Sequence, residues 1–257
     1  MKFAQQGLGV AAISYDSPAI LKEFAERHKI DFPLVADPDS EIIRMFKVLN
    51  AEALGKEKGM AHPGFFYIDA TGVVREKFFG GKETDRLTPS NVVGKLFPEL
   101  TEEVTENVDA PHLKLTLEQS DREVVSGNQV SLLADVQLPP AVHVYAPEVK
   151  GYRPIALKLN PVSGVELSPT IYPRPKILYL EAIQEHVPVF EDKFRIAQDV
   201  KVTGPATSER SIEITGELSY QACDDKVCYP PSSVPVTWTL RILPLDLKRS
   251  PEDIQHH

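Results

Sequence analysis

The sequence contains two cysteines, Cys223 and Cys228, with four residues between them. In a fully extended chain that spacing would put their Cα atoms roughly 16 Å apart, whereas a disulfide needs them within about 7 Å. A disulfide therefore requires the segment to fold back on itself, and the residues at 224–226, Asp-Asp-Lys, tolerate turns. From spacing alone, the pair fits a structural staple and a redox-active disulfide equally well.

The residues around the pair predict thiols that are weak attackers. Pro230-Pro231 prevents a helix from running on from Cys228, so neither thiolate gains stabilisation from a helix N-terminus. The carboxylates of Asp224 and Asp225 disfavour a thiolate, and Lys226 offsets them in part. Such a pair can still be attacked by another thiolate, which suits a passive carrier of electrons.

Residues 211–220 and 234–242 alternate between apolar and polar side chains, which places the cysteine loop between two strands. The loop at 220–231, Tyr-Gln-Ala-Cys-(x4)-Cys-Tyr-Pro-Pro, resembles the active loop of the amino-terminal periplasmic domain of the transmembrane disulfide reductase DsbD. The segments at 143–147 and 188–193 are also similar to that family. The resemblance covers about residues 108–244. It implies an immunoglobulin-like β-sandwich that carries reducing equivalents from a thioredoxin-like partner to oxidised proteins.

The same resemblance implies roles for individual residues. Cys228 is expected to form the mixed disulfide with both partners, and Cys223 to resolve it. Tyr220 and Tyr229 are expected to flank and shield the pair, with ordinary edge packing as the alternative. The family has an aromatic cap over the disulfide, and its position corresponds to the region of Ile183. The best-known member of the family has one more residue between the cysteines than this sequence.

The first third of the sequence has a different pattern, in which predicted strands and helices alternate, and this pattern is typical of an α/β fold. An apolar run at 8–15 is typical of a strand buried on both faces. Ser17-Pro18 then starts a helix, and strands at 65–69 and 73–78 form a hairpin before a last helix at 90–96. The segments at 9–18, 33–38 and 62–69 resemble the AhpC/TSA, peroxiredoxin-like branch of the thioredoxin fold over residues 1–97. That resemblance predicts a cis bond before Pro63.

The redoxin family carries its reactive cysteine on a first strand and helix that would precede residue 1, and this sequence has no cysteine before Cys223. We therefore expect an amino-terminally truncated redoxin domain without peroxidase activity. The strand at 8–15 would lack one neighbour and expose backbone and side chains.

The predicted organisation is an incomplete α/β thioredoxin-like domain at 1–97, a linker at 98–111, an all-β immunoglobulin-like sandwich at 112–244 and a tail at 245–257. The linker is acidic and lacks a sustained pattern. After it, short alternating strands are separated by turn signals, which favours a sandwich.

The net charge of −9 over 257 residues argues against a nucleic-acid or anionic-membrane partner. No apolar run reaches the roughly 18 residues of a membrane helix, and the first residues do not resemble a signal peptide, although the DsbD resemblance points to an extracytoplasmic compartment. A metal site built from Cys223, Cys228 and His186 is a weak alternative. No cofactor is predicted.

Two functions remain open from the sequence. The first is a thiol–disulfide exchange module that cycles the Cys223–Cys228 pair with a thioredoxin-like or redoxin-type protein as electron donor or acceptor and oxidised proteins as substrates. The second is a non-catalytic binding sandwich with a structural disulfide and a relic redoxin domain. A reduction potential below about −300 mV would favour the staple, and one between about −120 and −270 mV would favour exchange.

Overall fold

The computed structural model describes residues 7–80, 86–97, 104–180, 184–204, 206–224 and 226–255. The chain separates into two compact units. The first comprises residues 1–83 together with 246–257, and the second comprises residues 84–245.

The first unit alternates strands and helices, as the sequence predicts. Strand β1 (Ala12–Ser14) pairs in parallel with β2 (Leu34–Ala36), and β3 (Gly64–Ile68) pairs in antiparallel with β4 (Val74–Phe79). The helices are α1 (Pro18–His28), α2 (Glu41–Met45) and two 3₁₀ turns, Gly55–Glu57 and Glu252–Ile254.

Local capping explains where the first helices begin. The Oγ of Ser17 accepts a hydrogen bond from the backbone N–H of Ile20, and Pro18 occupies the first helical position. In α2 the buried carboxylate of Asp37 accepts from the backbone N–H groups of Glu41 and Ile43, at 2.9 Å each. These bonds satisfy donors that a helix start leaves free.

Strand β1 is shorter and more exposed than its apolar sequence suggests. It spans three residues, and within the described residues its ladder partner is β2. Ile13 is 41% exposed and Val35 on β2 is 36% exposed. Apolar side chains on both strands of this pair are therefore partly open to solvent.

The prediction of a cis bond before Pro63 is wrong, because the structure contains no cis peptide bond in its described residues. A trans X–Pro bond is intrinsically favoured by about 0.5–1 kcal/mol. A cis bond would require surrounding contacts that outweigh this preference.

The second unit is a β-sandwich, in agreement with the predicted fold class. Its strands are β5 (Arg86–Leu87), β6 (Val104–Ala110), β7 (Leu113–Gln119), β8 (Glu123–Val125), β9 (Asn128–Gln137), β10 (His143–Tyr145), β11 (Ala156–Leu159), β12 (Val165–Ile171), β13 (Lys176–Leu180), β14 (Glu185–Glu191), β15 (Lys193–Val202), β16 (Arg210–Tyr220), β17 (Ala222–Cys223) and β18 (Ser232–Leu243). One sheet has the order β12-β15-β9-β7-β6, with β5 also pairing with β9. A second sheet has the order β11-β16-β18-β8, and a third has the order β13-β14-β10-β17.

Alternation along the strands builds the sandwich core. Every second residue of β18 from Val234 to Ile242 is buried, and so are Leu113, Leu115 and Leu117 of β7. Trp238 lies in this core, and its indole N–H donates to the backbone carbonyl of Glu118 at 2.9 Å. The period of two therefore puts apolar side chains inside the sandwich. The indole N–H of Trp238, the polar group of this large side chain, keeps a hydrogen-bond acceptor there.

The structure differs from the predicted domain boundaries. Residues 104–110, placed in the linker by their sequence, form β6 and pair with β7, while residues 98–103 lie outside the described part. Helix α3 (Pro89–Leu96), predicted as the end of the first domain, belongs to the second unit. Residues 246–255 of the predicted tail belong to the first unit, where the Arg27 guanidinium lies 3.1 Å from the Asp246 carboxylate.

Polar side chains hold α3 against the sandwich. The Asn91 side chain donates to Ser131 Oγ at 2.8 Å, and Ser131 donates to Asp199 at 2.5 Å. The Lys95 ammonium forms an ion pair with the same Asp199 at 2.8 Å. These contacts span about 40 to 104 positions in the sequence, so no local pattern could have assigned α3 to this unit.

Candidate active site

Cys223 and Cys228 form a disulfide, and their Cα atoms are 4.0 Å apart. The chain reverses between them, as the spacing requires. The two residues form an antiparallel bridge, the N–H of Asp224 donates to the carbonyl of Val227 at 2.9 Å, and the N–H of Tyr229 donates to the carbonyl of Ala222 at 2.8 Å.

The two cysteines differ strongly in exposure. Cys223 lies on β17, pairs with His143 of β10 and is 1% exposed. It packs in a small cluster with Tyr145, Val187 and Val189. Cys228 lies on the far side of the turn and is exposed. The disulfide therefore joins one buried and one exposed cysteine residue.

Tyr145 of β10 lies next to the exposed cysteine, with its Oη 3.8 Å from Cys228 Sγ. Its ring stacks on that of Tyr152, with centroids 4.6 Å apart, and Tyr152 donates to the Glu185 carboxylate at 2.8 Å. Burial, reinforced by the charge of Glu185, raises the pKa of Tyr145. The hydrogen bond to Glu185 raises the pKa of Tyr152. Both phenols therefore stay protonated at neutral pH.

Tyr229 and Asp224 fasten the loop between the cysteines. The Tyr229 hydroxyl donates to Asp224 Oδ2 at 2.7 Å, and Asp224 Oδ1 accepts from the backbone N–H groups of Lys226 and Val227 at 2.8 Å each. The bond from Tyr229 and those from the two N–H groups lower the pKa of Asp224 to about 2. The Tyr229 ring also stacks on His112, with centroids 3.8 Å apart and planes 11° apart.

Tyr220 occupies a different place from Tyr229. It is 2% exposed and lies in the main core of the sandwich. Its hydroxyl donates to the carbonyl of Pro111 at 2.7 Å, and burial raises its pKa to about 12. These contacts describe a packing residue, and its predicted role in shielding the disulfide stays a prediction.

Four of the residues named from the sequence take no part in this description. Ile183, assigned to the cap position, and Asp225 of the loop lie outside the described residues. Pro63 belongs to the first unit. His186, considered as a metal ligand, contacts the ring of Tyr179 at 4.8 Å. Among the described residues, no group of three or more His, Cys, Asp or Glu side chains is placed to hold a metal ion.

Sequence reasoning missed Tyr145, Tyr152, Glu185 and His112. Tyr145 lies within the 143–147 segment that resembles the DsbD family, and this was the one available signal for it. The other three reach the site through strand pairing and ring stacking between distant segments.

Within the described part of the chain, no helix has the length and apolar character needed to cross a membrane.

Two family models match consecutive parts of the chain. Residues 1–77 match the AhpC/TSA family, and residues 115–238 match the family described as thiol:disulfide interchange protein DsbD, N-terminal. The chain is 34% identical over 73 residues to peroxiredoxin Bcp of Escherichia coli (strain K12), covering 28% of this chain and 47% of that protein. It is 33% identical over 91 residues to a peroxiredoxin of Aeropyrum pernix, covering 33% and 35%. The chain thus spans about half or less of the length of these relatives.

Two solved structures align with parts of this chain. The N-terminal periplasmic domain of ScsB from Proteus mirabilis aligns with a TM-score of 0.36 and 18% identity, covering 58% of this chain and 53% of that one. The DsbD N-terminal domain of Neisseria meningitidis in its reduced form aligns with a TM-score of 0.31 and 17% identity, covering 45% and 82%.

Proposed function

We propose that this chain, which joins a segment of the AhpC/TSA family to a DsbD N-terminal domain, is a thiol–disulfide exchange module that carries electrons on Cys223 and Cys228. The observation that carries the proposal is the asymmetry of the disulfide, in which Cys223 is buried and Cys228 is exposed. Disulfide exchange needs a sulfur that an incoming thiolate can approach in line, and Cys228 supplies it.

The proposed reduction proceeds in two displacements. A thiolate of a dithiol partner attacks Cys228 Sγ, the bond to Cys223 Sγ breaks, and the Cys223 thiolate takes up a proton. The partner's second thiolate then attacks the partner sulfur of this mixed disulfide and releases Cys228 as a thiolate, which also takes up a proton. The partner leaves as a disulfide, and two electrons and two protons have passed to this chain.

The reverse sequence would reduce an oxidised protein. The Cys228 thiolate attacks the substrate disulfide, and one substrate sulfur leaves as a thiolate. The Cys223 thiolate then attacks Cys228 Sγ, the bond from Cys228 to the second substrate sulfur breaks, and that sulfur also leaves as a thiolate. Each released thiolate takes up a proton. The phenol of Tyr145 lies where it can donate to the Cys228 sulfur in its thiolate form. Hydrogen bonds to ionised groups are stronger than those to neutral ones, so this contact favours the species that attacks and leaves.

We propose a thioredoxin-like or redoxin-type protein as the electron donor or acceptor, and oxidised proteins as the substrates. The redoxin family of residues 1–77 supports this class of partner. The exposed Val227 next to Cys228 gives such a partner an apolar contact beside the reacting sulfur.

Trapping of a mixed disulfide tests the proposal. Cys223→Ser and Cys228→Ser are prepared separately, and each is mixed with a thioredoxin whose resolving cysteine is replaced and whose attacking cysteine carries thionitrobenzoate. We expect Cys223→Ser to release the thionitrobenzoate and form a stable protein–protein disulfide, and Cys228→Ser to form little.

Two other outcomes would contradict parts of the proposal. An adduct from Cys228→Ser alone would mean that the two cysteines have exchanged roles. No adduct from either variant, together with a reduction potential below about −300 mV, would identify the disulfide as a structural staple.

A further inference from the structure

We infer that Asp224 is a positioning residue for the disulfide exchange proposed above, on which this inference rests. Its side chain holds the loop in the reversed conformation that the disulfide needs, including the time when the disulfide is reduced. Asp224 would thereby set how readily the Cys223 thiolate attacks Cys228 Sγ when Cys228 is bonded to a partner's sulfur.

The hydrogen bonds of Asp224 close the reversal without involving sulfur. Oδ1 accepts from the N–H groups of Lys226 and Val227, Oδ2 accepts from the Tyr229 hydroxyl, and the Asp224 N–H donates to the Val227 carbonyl. Both carboxylate oxygens are used. None of these bonds depends on the covalent link between Cys223 and Cys228, so each can persist in the dithiol.

Tyr229 connects this turn to the framework outside the loop. Its backbone N–H donates to the Ala222 carbonyl, its own carbonyl accepts from the Gln221 side chain at 3.0 Å, and its ring packs against the sandwich core. The ring also stacks on His112, which lies in the turn between β6 and β7. Tyr229 therefore links the turn held by Asp224 to backbone groups and to a ring outside the loop.

The contribution of Asp224 should differ between the two redox states. In the oxidised form the disulfide already holds the loop reversed, so the hydrogen bonds of Asp224 form with little further loss of conformational entropy. In the dithiol the same bonds must also order the loop, and that entropy cost reduces their net contribution to stability. A contact shifts an equilibrium only by its difference between the two states, and here the difference favours disulfide formation.

The step that benefits is ring closure. The Cys223 thiolate attacks Cys228 Sγ, the new sulfur–sulfur bond forms, and the bond from Cys228 to the partner sulfur breaks, leaving the partner as a thiolate that takes up a proton. Holding the reacting groups in place raises the effective concentration of the attacking sulfur. Asp224 places these groups through the loop, and in the described contacts it does not itself touch the reacting atoms.

The test measures the disulfide equilibrium of the full chain against reduced and oxidised glutathione. We expect Asp224→Ala to lower the equilibrium constant for forming the Cys223–Cys228 disulfide about tenfold, which raises the reduction potential by about 30 mV. Asp224→Asn keeps an oxygen for the two N–H groups and should stay within about threefold of the wild type. Tyr229→Phe keeps the ring on His112 but loses the hydroxyl, so it should shift the equilibrium in the same direction by about threefold.

Lys226→Ala is the matched control. It changes the charge of the same loop but keeps the backbone N–H at position 226, which donates to the Asp224 carboxylate. We expect it to leave the equilibrium unchanged. A wild-type equilibrium constant in Asp224→Ala, even with lowered thermal stability, would overturn the inference. Equal shifts in Asp224→Ala and Asp224→Asn, or in Lys226→Ala, would also overturn it, because they would assign the effect to charge.

Since this assay uses glutathione alone, it is independent of the protein-trapping experiment. The proposed function can fail for lack of a protein adduct while Asp224 still shifts the equilibrium. Conversely, adducts can form normally while Asp224→Ala leaves the equilibrium unchanged. Circular dichroism of each variant checks folding, and Tyr229→Phe carries the test if Asp224→Ala does not fold.

Discussion

The phenol oxygen of Tyr145 lies 3.8 Å from the sulfur of Cys228, although 83 positions separate the two residues in the sequence. Strand β10 brings Tyr145 there because it pairs with β17, which carries Cys223. A buried phenol with a raised pKa is therefore held as a hydrogen-bond donor beside the sulfur of the exposed cysteine of the pair.

Removing that donor should make the Cys228 thiolate harder to form. In a Cys223→Ser background, we expect Tyr145→Phe to move the midpoint of the pH dependence of iodoacetamide alkylation to higher pH. The rate at neutral pH should fall about three- to tenfold, because a hydrogen bond to an ionised group contributes about 1 kcal/mol or somewhat more. Tyr179→Phe, which removes an exposed hydroxyl on β13, is the control. Identical profiles for Tyr145→Phe and the control would show that the Tyr145 hydroxyl does not act on Cys228.

The carboxyl group of Asp224 should titrate at unusually low pH. Its pKa is lowered from 3.8 to about 2, first by the Tyr229 hydroxyl and then by the N–H groups of Val227 and Lys226. Because the folded pKa is depressed, the stability that this carboxylate contributes is present above its ordinary pKa and is lost as pH falls from about 4 towards about 2. A carboxyl-carbon NMR titration of the oxidised chain should show the low midpoint, and Tyr229→Phe should raise it. A midpoint near 3.8 in the unsubstituted chain would contradict the hydrogen bonding seen in the loop.

Tyr220 should contribute to stability and not to exchange. Its hydroxyl donates to the backbone carbonyl of Pro111, so Tyr220→Phe should lower the free energy of unfolding by about 1 kcal/mol. The exchange rate at Cys228 should stay unchanged. Urea unfolding and dithiothreitol reduction measure the two quantities. An exchange rate that rises several-fold in Tyr220→Phe would instead support the shielding role predicted from the sequence.

The pH dependence of the same variant provides a second measurement. Burial raises the pKa of Tyr220 from 10.0 to about 12. A group whose folded pKa is raised contributes stability that is present below its unfolded pKa and lost as pH rises through the folded value. We therefore expect the wild type to lose stability between about pH 10 and 12, and we expect this part of the loss to disappear in Tyr220→Phe.

The first unit should open more easily than the sandwich. Strand β1 has one ladder partner within the described residues, and Ile13 is exposed, whereas β9 is paired on both sides by β15 and β7. Amide hydrogen exchange should therefore be faster at Ala12–Ser14 than along β9, because local opening costs less where fewer contacts are broken. Exchange at β1 as slow as at β9 in a monomeric sample would contradict this.

Local chemistry in the sequence determined much of the fold. The apolar alternation of β18 from Val234 to Ile242 follows from the period of two that any half-buried strand has, and the helix start at Ser17-Pro18 follows from capping. The reversal between Cys223 and Cys228 was also predictable, because the spacing allows a disulfide only if the chain turns back.

Tertiary structure decided which groups meet at the site and where each segment belongs. The positions of Tyr145, Tyr152 and His112 depend on sheet order and on turns far away in the sequence, and neither turn propensity nor hydrophobic period carries that information. Helix α3 joined the sandwich unit through the Asn91–Ser131 hydrogen bond, although its local pattern is equally suited to the first unit. At Pro63 the motif suggested a cis bond, whereas the bond keeps the intrinsically favoured trans form. Patterns within a few residues fix local geometry, whereas the burial of Cys223 beside an exposed Cys228 arises from strand pairing across the whole domain.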